Sequence, residues 1–590
     1  MHAIIINKMN FLRNLLAAIL GFFISLFLIF ILFIGIASLA GKQETVVVKS
    51  NSILELDLSA VVKDYAPDEK NPILEALELD ETRLALNKIF NALDNAQLDD
   101  NIKGISLNST FVNAGFAQTQ AIRKKLEEFK ESGKFIYAYN DVYTQKNYYL
   151  SSVADSVYLN PVGQIDFTGL STEILYYKDF EDKYGVKMEV IRHGKYKSAV
   201  EPYLDNKMSE ANREQTTSFL KSIWSEITAD ISKSRKITEE EVNSIADNSK
   251  GRNAELAKTN KLIDNFIYQD EYEEKLKAAV DGKYATISIQ DYIKSGKGRK
   301  TSLAKDRIAV IYAQGQIMYG QGNEDVIGQG IINEAIKKAV KDKNIKAIVL
   351  RVNSPGGSAL ASDLIWRELE LARKEKPLVV SMGNLAASGG YYIACNADLI
   401  VAEPTTITGS IGVFGALPNA YELSKKMGIN AEQVSTNESA QYSLFEPMNK
   451  KFYDVTKEGV EQIYKTFVNR VAQGRKMTFE QVDAVAQGRV WSGKEAISKG
   501  LVDELGGLDH AINAAAQLAE LNSDYRIKNY PNYKTDIKEM FNISPFGKVN
   551  KQEILREALG DENYRLFNKI NELKNLKGIQ ARMPYIMEIK

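Results

Sequence analysis

The chain repeats itself, and that repeat limits what it can fold into more than any other feature. Asn101-Ile102-Lys103 recurs as Asn344-Ile345-Lys346, Tyr148-Tyr149 as Tyr391-Tyr392, Ala154-Asp155 as Ala397-Asp398, Pro161 as Pro404 and Gly185 as Gly428, each at an offset of 243 residues. Further on, Arg235-Lys236-Ile237-Thr238 and Arg475-Lys476-Met477-Thr478 pair at 240, and Leu262-Ile263-Asp264 and Leu501-Val502-Asp503 at 239. A drift of a few residues is what loop insertions and deletions produce, so the pattern indicates a duplicated domain. The halves are expected over 46–295 and 306–535, joined by a linker over 296–305 within a charged, glycine-containing stretch.

Each half opens with a strand-like run, Ile53 to Leu58 and Ile308 to Tyr312. A second strand (Gly104 to Leu107; Ala347 to Val352), a helix (Gln118 to Glu131; Ala361 to Lys374) and a third strand (Phe135 to Tyr139; Leu378 to Met382) follow. Strands alternating with helices predict an α/β fold with a parallel sheet, whose sites lie beyond the carboxyl ends of its strands. Ser388, in Ala386-Ala387-Ser388-Gly389-Gly390, falls beyond one such end, and Asn353-Ser354-Pro355-Gly356-Gly357-Ser358 beyond another.

Composition narrows the chemistry. Lys plus Arg 75 against Asp plus Glu 76 gives no electrostatic case for nucleic acid. The single cysteine, Cys395, excludes an intramolecular disulfide and a multi-cysteine metal site, and His2, His193 and His510 are too scattered for histidine-bound zinc. No metal or cofactor is expected. Leu15 to Ala40 carries no charge and is long enough to span a bilayer, and Lys8 and Arg13 before it predict a short cytoplasmic stub and a transmembrane anchor over 1–45 with the body across the membrane. The tail, 536–590, reads as charged and helix-forming, either a packing arm or an assembly element.

The halves disagree in a telling way. At the 243 offset Ser388-Gly389-Gly390 faces Gln145-Lys146-Asn147, and Pro355-Gly356-Gly357 faces Val112-Asn113-Ala114. Conversely, aligning Glu201-Pro202 with Glu446-Pro447 sets Lys197 against Tyr442. Such complementary losses are expected where one site takes a serine from one half and a lysine from the other. A lysine can act as base for a serine if burial brings its pKa from about 10.4 towards 7 or 8, at a cost of about 4 kcal/mol. His193 is the alternative base. Tyr196, Ala199, Val200, Pro202 and Tyr203 give Lys197 a small and apolar neighbourhood.

Gly194-Lys195-Tyr196-Lys197-Ser198-Ala199-Val200-Glu201-Pro202, the Gly356-Gly357 loop, the Ser388 turn and Ile407-Thr408-Gly409-Ser410-Ile411-Gly412 together resemble the long, duplicated form of the signal peptide peptidase A (protease IV) family. The resemblance implies tandem ClpP/crotonase-like domains after one transmembrane helix. It implies a serine/lysine-dyad peptidase of the bacterial inner membrane, tetrameric, with its body on the extracytoplasmic side, acting on cleaved signal peptides. Carried across, Ser388 is the nucleophile, Lys197 the general base, the Gly357 and Gly389 amides the oxyanion hole, and Ser410 the residue that orients the lysine. Leu360 and Val413 are expected to line the substrate groove. Two rivals belong to other classes: a crotonase-type enzyme acting on coenzyme A thioesters, and a non-enzymatic membrane scaffold or regulator.

Overall fold

Ile308-Ala309-Val310-Ile311-Tyr312-Ala313 is apolar without alternation, as a strand covered on both faces must be. In a computed structural model of the chain it forms the wholly buried centre of the strand Arg307–Gln314. The structure describes Asn14, 17–29, Ile31, 46–66, 83–298, 302–437, 442–522, 524–533 and 580–582.

Each half carries its own sheet. The first is parallel throughout, in the order Asn265–Phe266, Ser156–Ile165, Phe135–Tyr143, Ile102–Leu107, Ser52–Leu56, Ala285–Ser288. The second repeats that order with Glu504–Leu505, Leu399–Ala402, Leu378–Ala387, Ile345–Ser354, Arg307–Gln314 and Arg526–Tyr530. It then adds Ile407–Gly409 and an antiparallel edge strand, Val490–Ser492.

The repeated residues do the same work in both halves. Asp155 accepts from the Ile136 amide and Asp398 from the Leu378 amide. Tyr148 donates to the Leu262 carbonyl and Tyr391 to the Leu501 carbonyl, both at 2.9 Å. Arg235 pairs with Asp264 and Arg475 with Asp503, while Thr238 and Thr478 each close a capping box. Residues kept across the duplication are therefore the bonds that tie helix ends to sheet edges.

A third sheet joins the halves, in the order Val326–Gly328, Gln316–Met318, Gly356–Ser358, Gln580–Arg582, Val413–Asn419, Lys187–His193. Its outermost pair is antiparallel and runs from Val413 opposite His193 to Asn419 opposite Lys187, so a first-half strand lies against a second-half one. The described residues from Lys49 onward form one compact unit.

Two expectations meet the edge of the described residues. Residues 17–29 are helical, but the rest of the expected span lies largely outside them, and among the described residues no helix is long and apolar enough to cross a membrane. Most of 536–590 also lies outside. Where the tail is described, at Gln580–Arg582, it is a strand and not a helix, because two neighbouring strands supply its hydrogen-bonding partners.

Candidate active site

The strand Leu378–Ala387 delivers Ser388 at its carboxyl end, and the helix Gly389–Ala394 begins immediately after it. Ser388 takes φ 55° and ψ −114°, a conformation that costs a side-chain-bearing residue of order 1–3 kcal/mol and persists only where the surroundings hold it. Its amide donates to the Gly409 carbonyl at 2.8 Å, and its carbonyl accepts from the Tyr392 amide at 2.8 Å. The backbone is thus tied on both sides and the hydroxyl is aimed at one place.

That place is Lys197. The strand Lys187–His193 pairs with Val413–Asn419, turns at Gly194, and presents Lys197 just before the short helix Ser198–Tyr203. Lys197 Nζ lies 2.8 Å from Ser388 Oγ, 3.0 Å from the Ser410 carbonyl oxygen and 3.1 Å from Ser410 Oγ. Both Lys197 and Ser388 are wholly buried. Burial pushes the Lys197 ammonium well below its ordinary pKa, and among the described residues no carboxylate pairs with it to offset this.

A neutral amine has two N–H donors and one lone pair, and the site has a use for each. The Ser410 carbonyl can only accept, and Ser410 Oγ directs its own hydrogen to the Gly488 carbonyl at 3.4 Å, so both take an N–H from the lysine. That leaves a neutral amine's lone pair for Ser388 Oγ, whose hydrogen also has the Gly412 carbonyl as an acceptor 3.5 Å away. Sequence, burial and hydrogen-bond geometry bring the Ser388 hydroxyl and the Lys197 amine together in one buried contact.

Of the remaining expected residues, Gly357 lies in the strand Gly356–Ser358 at φ 154°, and Gly389 follows Ser388 directly. A Cβ on Gly356 would stand 2.6 Å from the Gly389 nitrogen, so the glycine loop packs against the serine turn with no room for a side chain. Val413 is buried at the start of its strand, whereas Leu360 is 60% exposed. His193 is not brought to the serine. Its Nδ1 meets the Glu461 carboxylate at 2.8 Å and its ring stacks on Tyr464.

In each half the position opposite the other half's site residue does structural work. Gln145, opposite Ser388 in the repeat, donates to the Gly169 carbonyl and accepts from the Thr168 and Gly169 amides. Tyr442, opposite Lys197, donates to the Pro418 carbonyl.

Sequence reasoning missed Gln215. From the helix Glu210–Arg235 it donates to the Tyr196 carbonyl at 3.0 Å and to Ser198 Oγ at 2.9 Å, on either side of Lys197, while its Oε1 accepts from the Val490 amide. A signal was present: Gln215 extends the buried stripe Phe219, Ile223, Ile227, Ile231 back by one turn, and a polar residue on such a stripe needs partners.

Comparison with known proteins identifies the family. The model of peptidase family S49 matches residues 128–283 and 370–522, one stretch in each half, and a Clp protease model matches 299–403. Protease 4 of Haemophilus influenzae is 35% identical over 539 residues, covering 88% of this chain and 87% of that protein. Protease 4 of Salmonella typhi is 37% identical, covering 87% and 85%, and the chloroplastic serine protease SPPA of Arabidopsis thaliana is 32% identical, covering 92% and 78%. Among solved structures, a mutant of the 1510-N membrane-bound stomatin-specific protease aligns at 14% identity with a TM-score of 0.25, covering 39% of this chain and 99% of its own. ClpP1 from Listeria monocytogenes aligns at 15% with a TM-score of 0.22, covering 34% and 91%. The two S49 matches and the Clp protease match, with the sheet order common to both halves, fit tandem ClpP/crotonase-like α/β domains, and beside the Protease 4 relatives the coenzyme A and scaffold readings give way. With its family model matched in both halves and relatives aligned over most of their length, the chain belongs to peptidase family S49 and is a serine peptidase of the protease IV type.

Proposed function

We propose that the chain is a membrane-anchored endopeptidase that degrades cleaved signal peptides with Ser388 as nucleophile and Lys197 as general base. The observation that carries this is the buried Lys197 amine, its N–H groups occupied by Ser410, 2.8 Å from the Ser388 hydroxyl. Neutral Lys197 takes the Ser388 proton as Oγ attacks a peptide carbonyl. The Gly357 and Gly389 amides receive the oxyanion, each such donor being worth about 10² to 10³ in rate. Lys197 then protonates the leaving amine and activates the water that releases the acyl group. Ser410 orients the lysine.

An extended peptide suits this site because the Gly356–Ser358 and Val413–Asn419 strands already hold one extended segment, Gln580–Arg582, between them by main-chain pairing. The uncharged stretch Leu15 to Ala40 would confine enzyme and apolar substrate to one bilayer, with the body on the extracytoplasmic side of the bacterial inner membrane. The family resemblance adds a homotetramer, and the 2.8 Å contact of Lys197 with Ser388 of the same chain supports a site drawn from one chain.

The test is hydrolysis of an apolar signal peptide by the full chain in detergent micelles. Ser388→Ala and Lys197→Ala abolish it, His193→Ala retains it, and mixing the two inactive variants restores nothing. Activity surviving in Ser388→Ala refutes the dyad, and recovery on mixing assigns the lysine to a neighbouring chain. Light scattering on the same samples reads the subunit count.

A further inference from the structure

Lys197 and Ser388 come from opposite halves, so their 2.8 Å contact depends on what fixes one half's loop against the other half's strands. The lysine loop, between the strand ending at His193 and the short helix Ser198–Tyr203, takes its bonds from outside itself. The Tyr196 amide donates to the Gln487 carbonyl at 2.8 Å. The Tyr196 carbonyl and Ser198 Oγ, on either side of Lys197, accept from Gln215 Nε2 at 3.0 and 2.9 Å.

Gln215 also reaches the serine's side of the contact. Its Oε1 accepts from the Val490 amide at 3.2 Å, and that donor decides which end of the side-chain amide is oxygen. Val490 pairs with Gly409 across the antiparallel edge of the second sheet, and the Gly409 carbonyl receives the Ser388 amide at 2.8 Å. One residue before Val490, the Arg489 carbonyl accepts from the amide of Ser410, which holds Lys197 Nζ. A single side chain therefore bonds both the backbone that carries the base and the backbone that places the nucleophile. Gln215 is 1% exposed, and Asn212 Oδ1 stands 3.2 Å from the same nitrogen, so turning the amide over would set N–H against N–H in a buried space. The helix beneath it is anchored by Phe219, Ile223, Ile227 and Ile231 and capped by Ser209, which gives the amide a fixed base.

We propose that Gln215 is a positioning residue for the reaction, setting the separation of Lys197 from Ser388 across the two halves. This rests on the Ser388–Lys197 reading. Gln215→Met keeps the length of the side chain and removes every bond it makes, so the lysine loop and the Val490 edge are no longer tied. A displacement of about 1 Å at the reacting pair costs on the order of 10²-fold in rate. The loosened loop also admits water to the amine, which relieves its burial and moves the rise of kcat/KM to higher pH.

Steady-state hydrolysis of an apolar peptide by the full chain in detergent micelles, followed across pH, tests this in variants that melt cooperatively. Gln215→Met loses about 10²-fold in kcat with KM little changed, and its kcat/KM rises at higher pH than that of the wild type. Gln215→Asn keeps the amide but is one methylene short of spanning both sides, and falls between the two; it carries the comparison if Gln215→Met does not melt cooperatively. Ser222→Ala is the control. Ser222 lies further along the same helix and meets Ser492 Oγ, on the same edge strand as Val490, at 2.6 Å, so its loss leaves the bonds of the lysine loop intact and kcat and the pH profile unchanged. Gln215 variants with wild-type kcat and pH profile overturn the proposal, as does a change confined to KM. An equal loss in Ser222→Ala overturns it too, because the effect is then one of helix docking in general. Activity surviving in Lys197→Ala overturns the dyad itself, whatever the Gln215 variants do.

Discussion

Gly488 and Lys197 touch backbone to backbone: a Cβ on Gly488 would stand 2.6 Å from the Lys197 Cβ and 2.7 Å from its Cα and nitrogen. Gly488 also takes φ 79°, which a side-chain-bearing residue rarely adopts, and its carbonyl receives the Ser410 hydroxyl that helps aim the lysine. Gly488→Ala must therefore push Lys197 away from Ser388. Displacements of about 1 Å at a reacting pair cost on the order of 10²-fold in rate. The expected result is a fall in kcat of that order with KM little changed, measured by steady-state hydrolysis of an apolar peptide, in protein that still melts cooperatively. Wild-type kcat in this variant would show that the lysine's position is not what limits the reaction.

The buried lysine sets the pH response. Only the neutral amine can accept the Ser388 proton, so kcat/KM rises with pH through the depressed Lys197 pKa and then levels. Lys197→Arg, which stays protonated, is inactive at every pH. Stability follows the same group. Its folded pKa lies below the unfolded value of about 10.4, so between the two the unfolded chain binds the extra proton and stability rises with pH. Below the folded pKa the cost is complete and constant. Urea unfolding of the wild type and Lys197→Met from neutral to alkaline pH checks this: the variant is the more stable at the low end, and the difference shrinks as pH rises. A constant difference contradicts the assignment.

The ion pair of Asp64 with Arg351 ties a first-half segment to the second sheet. The two meet at 3.1 Å, each side chain 1% exposed. Arg351 also donates to Ser381 Oγ and the Met382 carbonyl, in the strand that carries Ser388, and Asp64 accepts from Gln118. Removing one partner strands a buried charge at a cost of about 3–5 kcal/mol, whereas removing both costs much less. Asp64→Ala should lower the unfolding free energy by about that amount, and the double variant Asp64→Ala/Arg351→Met should recover most of it, as read by urea denaturation. Equal losses in single and double variants would mean that the pair does not act as a unit.

How much of this was legible in the sequence depended on whether the signal was local. The repeat singled out Ser388 and Lys197, each missing from the opposite half, and the fold brings their side chains to 2.8 Å; strand and helix alternation pointed to the parallel sheets. The third strand of the second half, expected to end at Met382, runs on through Gly383 to Ala387, and a Cβ at Gly383 would stand 3.0 Å from Asp64 Oδ2 and 3.1 Å from the Asn353 side chain. There the glycine marks close approach inside a strand, not a break. The Asp64–Arg351 pair joins residues 287 positions apart and leaves no local pattern. Gln580-Ala581-Arg582 has no strand periodicity of its own and is a strand because of what lies beside it.

Glu403 gives a second, opposite pH dependence. It follows the strand Leu399–Ala402, is 3% exposed, and its Oε1 has no hydrogen-bond partner. Burial raises its pKa to about 7, against the pull of Arg351, Lys124 and His510 and with a smaller push from Asp230. Because the folded value lies above the unfolded one of about 4.3, the folded chain holds a proton between them that the unfolded chain has lost. Stability contributed by this group is present at pH 4 and is lost as pH rises towards 7. Glu403→Gln keeps the shape without the charge, so it should match the wild type near pH 4 and exceed it by up to roughly 3 kcal/mol at pH 8, at about 1.36 kcal/mol per pKa unit. Because Lys197 is common to both proteins, its contribution cancels in the comparison. Stability curves that stay parallel from pH 4 to 8 would show that the carboxyl is paired in solution, and the free energy assigned to its burial would have to be given up.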